Sequence, residues 1–257
     1  MTEPSYKIID VNESNLDEYD LFCHKSKKNT KGYQSKVRWV KNRFKEDLRI
    51  KLLMIRERKG FTSRGFIEYI PGEYTWRGID AKGYMVIHCI WVVDRNKRKG
   101  YGTKLLEHCL NDAKGMLGVA VVTSKKTWLP KDKLFVKQGF EKADTLSYFD
   151  LYVKRFSSTT PLPQFYHVSQ EQLKRYENGL TIFKSGQCPY ESNMVKAVCE
   201  TANQLNIPVQ IEHIESGLDA QTGVHPYGTF CVLLNGKELT YHSESRKTIA
   251  QLLEKHR

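Results

Sequence analysis

Apolar positions along the chain recur either in short continuous or alternating runs, which predict strands, or three and four apart, which predicts helices. Lys7 to Val11 alternates weakly and predicts a first strand. Glu13 to Cys23 and Ser35 to Phe44 predict helices, the second with Val37, Trp39, Val40 and Phe44 available to pack. Arg49 to Arg56 and Gly65 to Ile70 predict neighbouring strands, with a turn signal at Lys59-Gly60. Tyr84 to Val93 is an almost unbroken apolar run rich in β-branched and aromatic residues, the mark of a buried strand. After a basic loop, Leu105, Leu106, Cys109, Leu110 and Ala113 line one helical face. Val119 to Thr123 predicts the next strand, and Phe140 to Ala143 and Ser147 to Lys154 predict two closing strands.

The pattern then breaks. Residues 157–163, Ser-Ser-Thr-Thr-Pro-Leu-Pro, are small, polar and proline-bearing, and read as a linker. Beyond it Leu180 to Phe183 predicts a strand, Asn193 to Leu205 a helix and Pro208 to Ile214 a strand. Thr229 to Leu234 and Glu238 to Tyr241 flank the turn Asn235-Gly236 and predict a hairpin. Glu244 to Lys255 predicts a closing helix with Ile249, Leu252 and Leu253 on one face. Two domains follow, 1–156 and 164–257, joined by the linker.

Charge sharpens that division. Residues 1–156 carry 32 Lys and Arg against 19 Asp and Glu, whereas 157–257 carry 9 against 10. The basic surplus therefore sits in the first domain, where it favours an anionic ligand. No nucleic-acid motif accompanies it, and a nucleic-acid partner is not expected. No apolar run reaches membrane-spanning length. The start of the chain is polar and acidic, unlike a secretory signal, and the six cysteines are scattered without a C-x-x-C pair. A cytoplasmic protein with reduced thiols and no metal site is the expectation. Oligomeric state is not readable.

The chemistry centres on Lys97-Arg98-Lys99-Gly100-Tyr101-Gly102-Thr103, between the buried strand and the amphipathic helix. A helix that starts on glycines presents unpaired N–H groups and a positive dipole end, and the missing Cβ atoms admit a phosphate. The dinucleotide fingerprint is not met, because Leu105 stands in the third glycine position, and no Gly-Lys-Ser/Thr completes a P-loop. Pro71 to Lys82 is a loop rich in Gly, Trp and Tyr that feeds the buried strand. Tyr69, Tyr74, Trp76 and Arg77 around it are candidates for an acceptor pocket.

Val92-x7-Gly100-x-Gly102, followed by Leu105 and Leu106, resembles motif A of the GNAT superfamily of acetyl-CoA-dependent N-acetyltransferases, with Lys97 where the family carries Gln or Arg. Leu134-Phe135-Val136-Lys137-Gln138-Gly139-Phe140 is similar to a second landmark of that family. The run Phe66 to Tyr74, with Trp76-Arg77 and Asp80 to Met85, further resembles the YoaP-type subgroup, in which a GNAT domain precedes a thioredoxin-like domain. The resemblance implies an α/β fold: a mixed, mostly antiparallel GNAT sheet flanked by helices, then a smaller thioredoxin-like domain. It implies acetyl-CoA as cosubstrate, direct transfer to a small amine, backbone contacts to pantetheine at Ile90 and Val92, and a pyrophosphate loop at Arg98, Lys99, Gly100, Tyr101, Gly102 and Thr103. His88 matches a strand position where some members carry a catalytic base, and the titration range of histidine suits removal of an amine proton. Phe135 falls at the cofactor-side position where many members carry a proton-donating Tyr, a departure that opens an alternative: a non-catalytic acyl-CoA sensor.

Cys188-Pro189-Tyr190 resembles the glutaredoxin C-P-Y-C turn, with Glu191 replacing the second cysteine, and Pro226 matches the cis-proline of that fold. A cysteine at a helix start is more reactive than a free one. Cys188 is therefore a candidate thiol, and a thiol-dependent enzyme or carrier is the other alternative.

Overall fold

The computed structural model describes residues 5–242 and 244–256. The first four residues, part of the polar chain start, lie outside them. The chain divides into two units: Met1–Lys25, Val40–Thr75 and Asp80–Phe165 form the first, and Ser26–Trp39, Trp76–Ile79 and Tyr166–Arg257 the second. The second unit thus takes two segments from the half of the sequence ahead of the linker.

In chain order the elements up to Phe165 are β1 (Tyr6–Val11), α1 (Lys31–Phe44), β2 (Arg49–Glu57), β3 (Gly60–Pro71), β4 (Ile79–Asp80), β5 (Tyr84–Val92), α2 (Tyr101–Asp112), β6 (Gly118–Ser124), α3 (Lys133–Lys137), β7 (Glu141–Leu146), β8 (Phe149–Arg155) and β9 (Gln164–Phe165). A seven-stranded sheet in the order β1-β2-β3-β5-β6-β8-β7 carries the first unit. β5 and β6 are parallel, as the crossover through α2 requires, and the other neighbours are antiparallel. The periodic face of α2 buries Leu105, Leu106, Cys109 and Ala113 against Ile67, Tyr69, Met85, Ile87, Ile90 and Val92. Burial of such side chains contributes about 1.5–3 kcal/mol each. Phe135 joins this core and meets Phe140 edge-on.

The expected helix over Glu13 to Cys23 is corrected: the segment is irregular, although Leu16 and Leu21 are buried. Short polar side chains take the amides that a helix would use. Asn12 Oδ1 accepts from Ser14 N, Asn15 Oδ1 from Asn12 N and Asp20 Oδ1 from Phe22 N. Phe22 and His24 then adopt left-handed backbone, at φ 64° and 57°.

The later elements are α4 (Gln170–Lys174), β10 (Leu180–Lys184), α5 (Glu191–Gln204), β11 (Val209–His213), α6 (Gly217–Gln221), β12 (Phe230–Leu234), β13 (Lys237–Thr240) and α7 (Arg246–His256). The second unit holds a sheet in the order β11-β10-β12-β13, with β10 parallel to β11 and antiparallel to β12. The described residues contain no cis peptide bond, so the expected cis-proline at Pro226 is corrected. Its carbonyl accepts from Gly78 N, and His225 Nδ1 accepts from Gly228 N. Among the described residues no helix is long and apolar enough to cross a membrane.

One close approach sets the spacing of β6 and β8. A Cβ on Gly118 would lie 2.2 Å from the Lys154 carbonyl oxygen. We expect Gly118→Ala to cost about 1–3 kcal/mol, the range for forced overpacking. A chemical-denaturation midpoint measures it, and an unchanged midpoint would show that the strands can separate without cost.

Candidate active site

β5 and β6 pair only from Tyr84↔Gly118 to Ile87↔Val121. Past that point β5 continues along β3 as far as Gly65↔Val92, while β6 continues along β8 as far as Ser124↔Phe149. The two central strands therefore part. The register between β3 and β5 also jumps, from Glu68↔Cys89 to Tyr69↔Ile87, which leaves His88 as an extra, bulged residue at the parting point. Bulges bend a strand and re-aim a side chain.

The parting exposes backbone. Val93 N donates to Arg64 O, on the β3 side. Strand alternation then directs the amides of Ile90 and Val92 to the open side. Sequence reasoning placed both residues in the cofactor site, and the register turns those two amides toward the gap.

At the end of β5 the chain enters the basic loop. Arg98 and Gly100 both have left-handed backbone, at φ 62° and 78°. Gly100 is the N-cap of α2, and no side chain caps that helix. The first amide to bond back along α2 is that of Lys104, to Gly100 O, so the earlier amides of the turn point out of the helix end. A Cβ on Gly100 would meet nothing within 4 Å, whereas one on Gly102 would come within 3.5 Å of Leu134 in α3. Gly100 therefore opens onto space and Gly102 onto packing. Arg98 and Lys99 are exposed, and Tyr101 and Thr103 are half-buried in the first turn. Asn96, just ahead of the loop, is buried with its Oδ1 short of any hydrogen-bond partner among the described residues. Uncapped amides, cations, open space and a spare acceptor fit a long anionic thioester that carries amide groups.

His88 lies on the side of the sheet away from α2. Ile67, Tyr69, Ile90 and Val92 face the α2 core, so Phe66, Glu68, Cys89 and Trp91 face the other way. His88 Nε2 is 3.2 Å from Thr75 Oγ1, and Nδ1 is 3.7 Å from Glu68 Oε1. All three residues are buried. A carboxylate in a sheet interior is costly unless partnered, and the Glu68–His88 pair supplies that partner. Sequence reasoning missed Glu68 and Thr75. Glu68 as a lone acid inside an apolar strand was the available signal, but its partner could be named only from the register.

The predicted acceptor residues belong to different units. Tyr69 lies on the α2 face, opposite His88, and donates to Asp112 Oδ2 at 2.6 Å. Asp112 also meets Lys51 at 3.0 Å and Arg49 at 3.4 Å. Burial opposes its ionisation, but the Tyr69, Lys51 and Arg49 contacts prevail and hold its carboxyl below the usual range. Burial and the bond to Asp112 push the Tyr69 hydroxyl far up, so it stays protonated. Trp76 and Arg77 belong to the second unit and are buried there. Arg77 donates to Tyr227 O at 2.7 Å and Thr229 Oγ1 at 3.1 Å, and stacks over the Tyr227 ring. Phe135 is wholly buried.

In the second unit Cys188 is half-buried in the turn before α5. Glu191 closes that turn, its carboxylate accepting from Gly186 N at 2.8 Å and Cys188 N at 3.3 Å. The first part of α1 packs on the turn: a Cβ on Gly32 would reach 2.0 Å from Pro189 O, and one on Gly186 would reach 2.6 Å from Ser35 Oγ. The described residues hold no group of three or more His, Cys, Asp or Glu arranged for a metal.

Residues 33–140 match the model of the Acetyltransferase (GNAT) family. The chain is 29% identical over 255 residues to a Bacillus subtilis (strain 168) protein described as "Uncharacterized N-acetyltransferase YoaP", covering 95% of this chain and 97% of that one. Among solved structures it is similar to a GNAT family acetyltransferase from Brucella melitensis in complex with acetyl-CoA: 17% identity, 63% of this chain, 96% of that one, TM-score 0.40. A PaiA N-acetyltransferase from Thermoplasma acidophilum in complex with coenzyme A matches at 14% identity over 57% of this chain and 80% of that one, TM-score 0.36. These structural likenesses are too remote to carry weight.

Burial raises the Glu191 carboxyl from 4.5, its ordinary value, to about 7, against the opposing pull of the turn amides. The folded state therefore holds this proton more tightly than the unfolded chain does. Glu191 contributes most stability below about pH 4.5, and that contribution shrinks as pH rises toward 7. Glu191→Gln cannot ionise and removes this slope. Denaturation midpoints at several pH values compare the two proteins, and parallel profiles would contradict the assignment.

Proposed function

We propose that this GNAT-type, acyl-CoA-dependent acyltransferase moves the acetyl group of acetyl-CoA directly onto the nitrogen of a small amine. The observation that carries this reading is the gap between β5 and β6, with bulged His88 at its apex and uncapped α2 at its far end. The gap offers the Ile90 and Val92 amides to the pantetheine arm. Gly100 and the first amides of α2 receive the pyrophosphate, with Arg98 and Lys99 adding charge.

His88 acts as the base. An amine arrives mostly as an ammonium and must lose a proton before its nitrogen can attack. Thr75 Oγ1, 3.2 Å from His88 Nε2 and as buried as the imidazole, helps to orient the ring. Glu68 fixes the ring orientation and stabilises the imidazolium, the role of the third member in nucleophile–base–carboxylate arrangements. A nitrogen–carbon bond forms, the carbon–sulfur bond breaks, and CoA leaves as a thiolate that is protonated from water. Phe135 has no hydroxyl to give. Holding both reactants in the gap supplies much of the acceleration.

We read the second unit as thioredoxin-like. Its strand order, with one parallel and two antiparallel pairings, supports this. In it the Cys188 turn serves packing: Glu191 occupies the position of a resolving thiol and clasps the turn amides. The acyltransferase segment ends at the linker over 157–163.

His88→Ala should lower kcat by about 100- to 10,000-fold, the usual contribution of a positioned base. Acetyl-CoA binding by calorimetry should stay near wild type, and a variant with undiminished kcat would remove His88 from the mechanism. Gly100→Ala should raise the KM for acetyl-CoA roughly tenfold, since its Cβ enters space that the phosphates need and its backbone becomes strained. An unchanged KM would place the pyrophosphate elsewhere.

A further inference from the structure

Residues 25–45 carry nine Lys and Arg and no Asp or Glu. The surplus of residues 1–156, 32 basic against 19 acidic, is thirteen, so this short stretch supplies most of it. The loop Lys97-Arg98-Lys99 holds only three cations. An anionic cosubstrate at that loop therefore leaves most of the charge of the first domain unexplained.

The stretch folds as a short 3₁₀ turn, Lys25–Lys27, and then α1. Three of its nine cations are engaged inside the protein. Lys25 bonds Ser63, Lys36 is buried with its ammonium 4.6 Å from the Trp39 ring centroid, and Arg43 meets Glu46 at 2.9 Å. The other six, Lys27, Lys28, Lys31, Arg38, Lys41 and Lys45, are exposed and form no ion pair among the described residues. Asp47, the next acid along the chain, is held by Arg49 at 2.9 Å.

On α1 the exposed positions share one side. Lys31, Gln34, Arg38, Lys41, Asn42 and, one residue past the helix end, Lys45 recur at helical spacing. Tyr33, Lys36, Trp39 and Val40 occupy the other side and are buried. The solvent side of this one continuous helix is thus a stripe of cations and amides about 20 Å long, without an acid or an exposed apolar residue.

That make-up selects among polyanions. A protein partner is anchored by aromatic or aliphatic side chains at the centre of its interface, and the stripe offers none. A basic helix that lies in a membrane surface needs a free apolar face, and that of α1 is used inside the fold. A single nucleic-acid strand is held by stacking on exposed aromatics, which the stripe also lacks. A duplex needs none of these, because most protein contacts to it go to phosphate and sugar, from Lys, Arg, Asn and Gln. A fixed row of such side chains suits a regular row of phosphates.

We propose that the exposed side of α1 binds a nucleic-acid duplex through its phosphate backbone, without reading bases. This revises the expectation of no nucleic-acid partner, which rested on the absence of a motif. Backbone binding requires charge and spacing instead. The proposal is independent of the acyl-transfer reading.

The test uses the full-length protein and fluorescence anisotropy with labelled short RNA and DNA duplexes, each in two unrelated sequences, and with single-stranded oligo(dT). Co-sedimentation with vesicles of phosphatidylserine and phosphatidylcholine runs beside it. We expect a duplex to bind with Kd of about 10⁻⁶–10⁻⁴ M at physiological salt, with unrelated sequences within about twofold. The logarithm of affinity should fall with that of salt at a slope of about −3 or steeper, each neutralised phosphate contributing about −0.9. The tighter of the two duplexes identifies RNA or DNA as the partner. A triple variant, Lys31→Glu, Arg38→Glu and Lys41→Glu, should weaken binding at least tenfold with an unchanged denaturation midpoint. Lys31→Arg with Lys41→Arg should keep it within about twofold. Saturating acetyl-CoA should leave duplex affinity unchanged, because the stripe contains none of the loop residues. No duplex binding at low salt, equal or tighter binding to the single strand or the vesicles, indifference to the triple charge reversal, or displacement by acetyl-CoA would each overturn the proposal.

Discussion

Everything in the site depends on two parallel strands that stop pairing. A sheet strand normally has both edges satisfied, because unpaired amides are expensive when dry. β5 gives up its β6 partner after Ile87 and keeps only β3. The extra residue at His88 makes this affordable by bending β5 away, while β8 keeps β6 fully paired on its other side. The outcome is a wedge with polar backbone on one wall. Such a wedge stays open only if a ligand or water supplies the missing partners, and a thioester arm with two amide groups is chemically suited to that. Gly100 stands where the wedge meets the start of α2, so the same chain direction that opens the sheet delivers the helix end.

How much of this was legible in the sequence differs by range. The strand, basic loop and helix from Tyr84 to Asp112 could be read directly, because period, glycine placement and charge agree there. Gly100 and Gly102 could also be distinguished from a dinucleotide fingerprint. Their different duties could not: one faces open space and the other Leu134, and only tertiary packing decides that. Glu13 to Cys23 misled because Leu16, Tyr19 and Cys23 recur three and four apart, while Asn12, Asn15 and Asp20 divert the amides. Trp76 and Arg77 look like pocket residues in a glycine-rich loop, yet Arg77 spends its donors on Tyr227 and Thr229, about 150 residues away in sequence. Glu68 stood out as a lone acid in an apolar strand, but its pairing with His88 did not, because cross-strand register assigns the face, and here the register contains a bulge.

The two faces of the sheet divide the chemistry. Toward α2 the polar groups form a closed network in which Asp112 gathers Tyr69, Lys51 and Arg49. Each charge there is answered, so the network is stable and inert. Toward the other face Glu68 and His88 form a pair whose contact, at 3.7 Å, is looser than a hydrogen bond. Adjacent residues Glu68 and Tyr69 thus face opposite sides of the sheet, one toward His88 and the other toward Asp112.

Lys97 ties the basic loop back to the strand that precedes it. It belongs to the basic loop, yet its ammonium rests on the indole of Trp91 and against Asp94. An anion entering the loop would have to draw that cation off the indole and away from Asp94. The loop's positive charge is therefore partly engaged before any ligand arrives, and the side chain that holds it in reserve comes from the strand the loop follows.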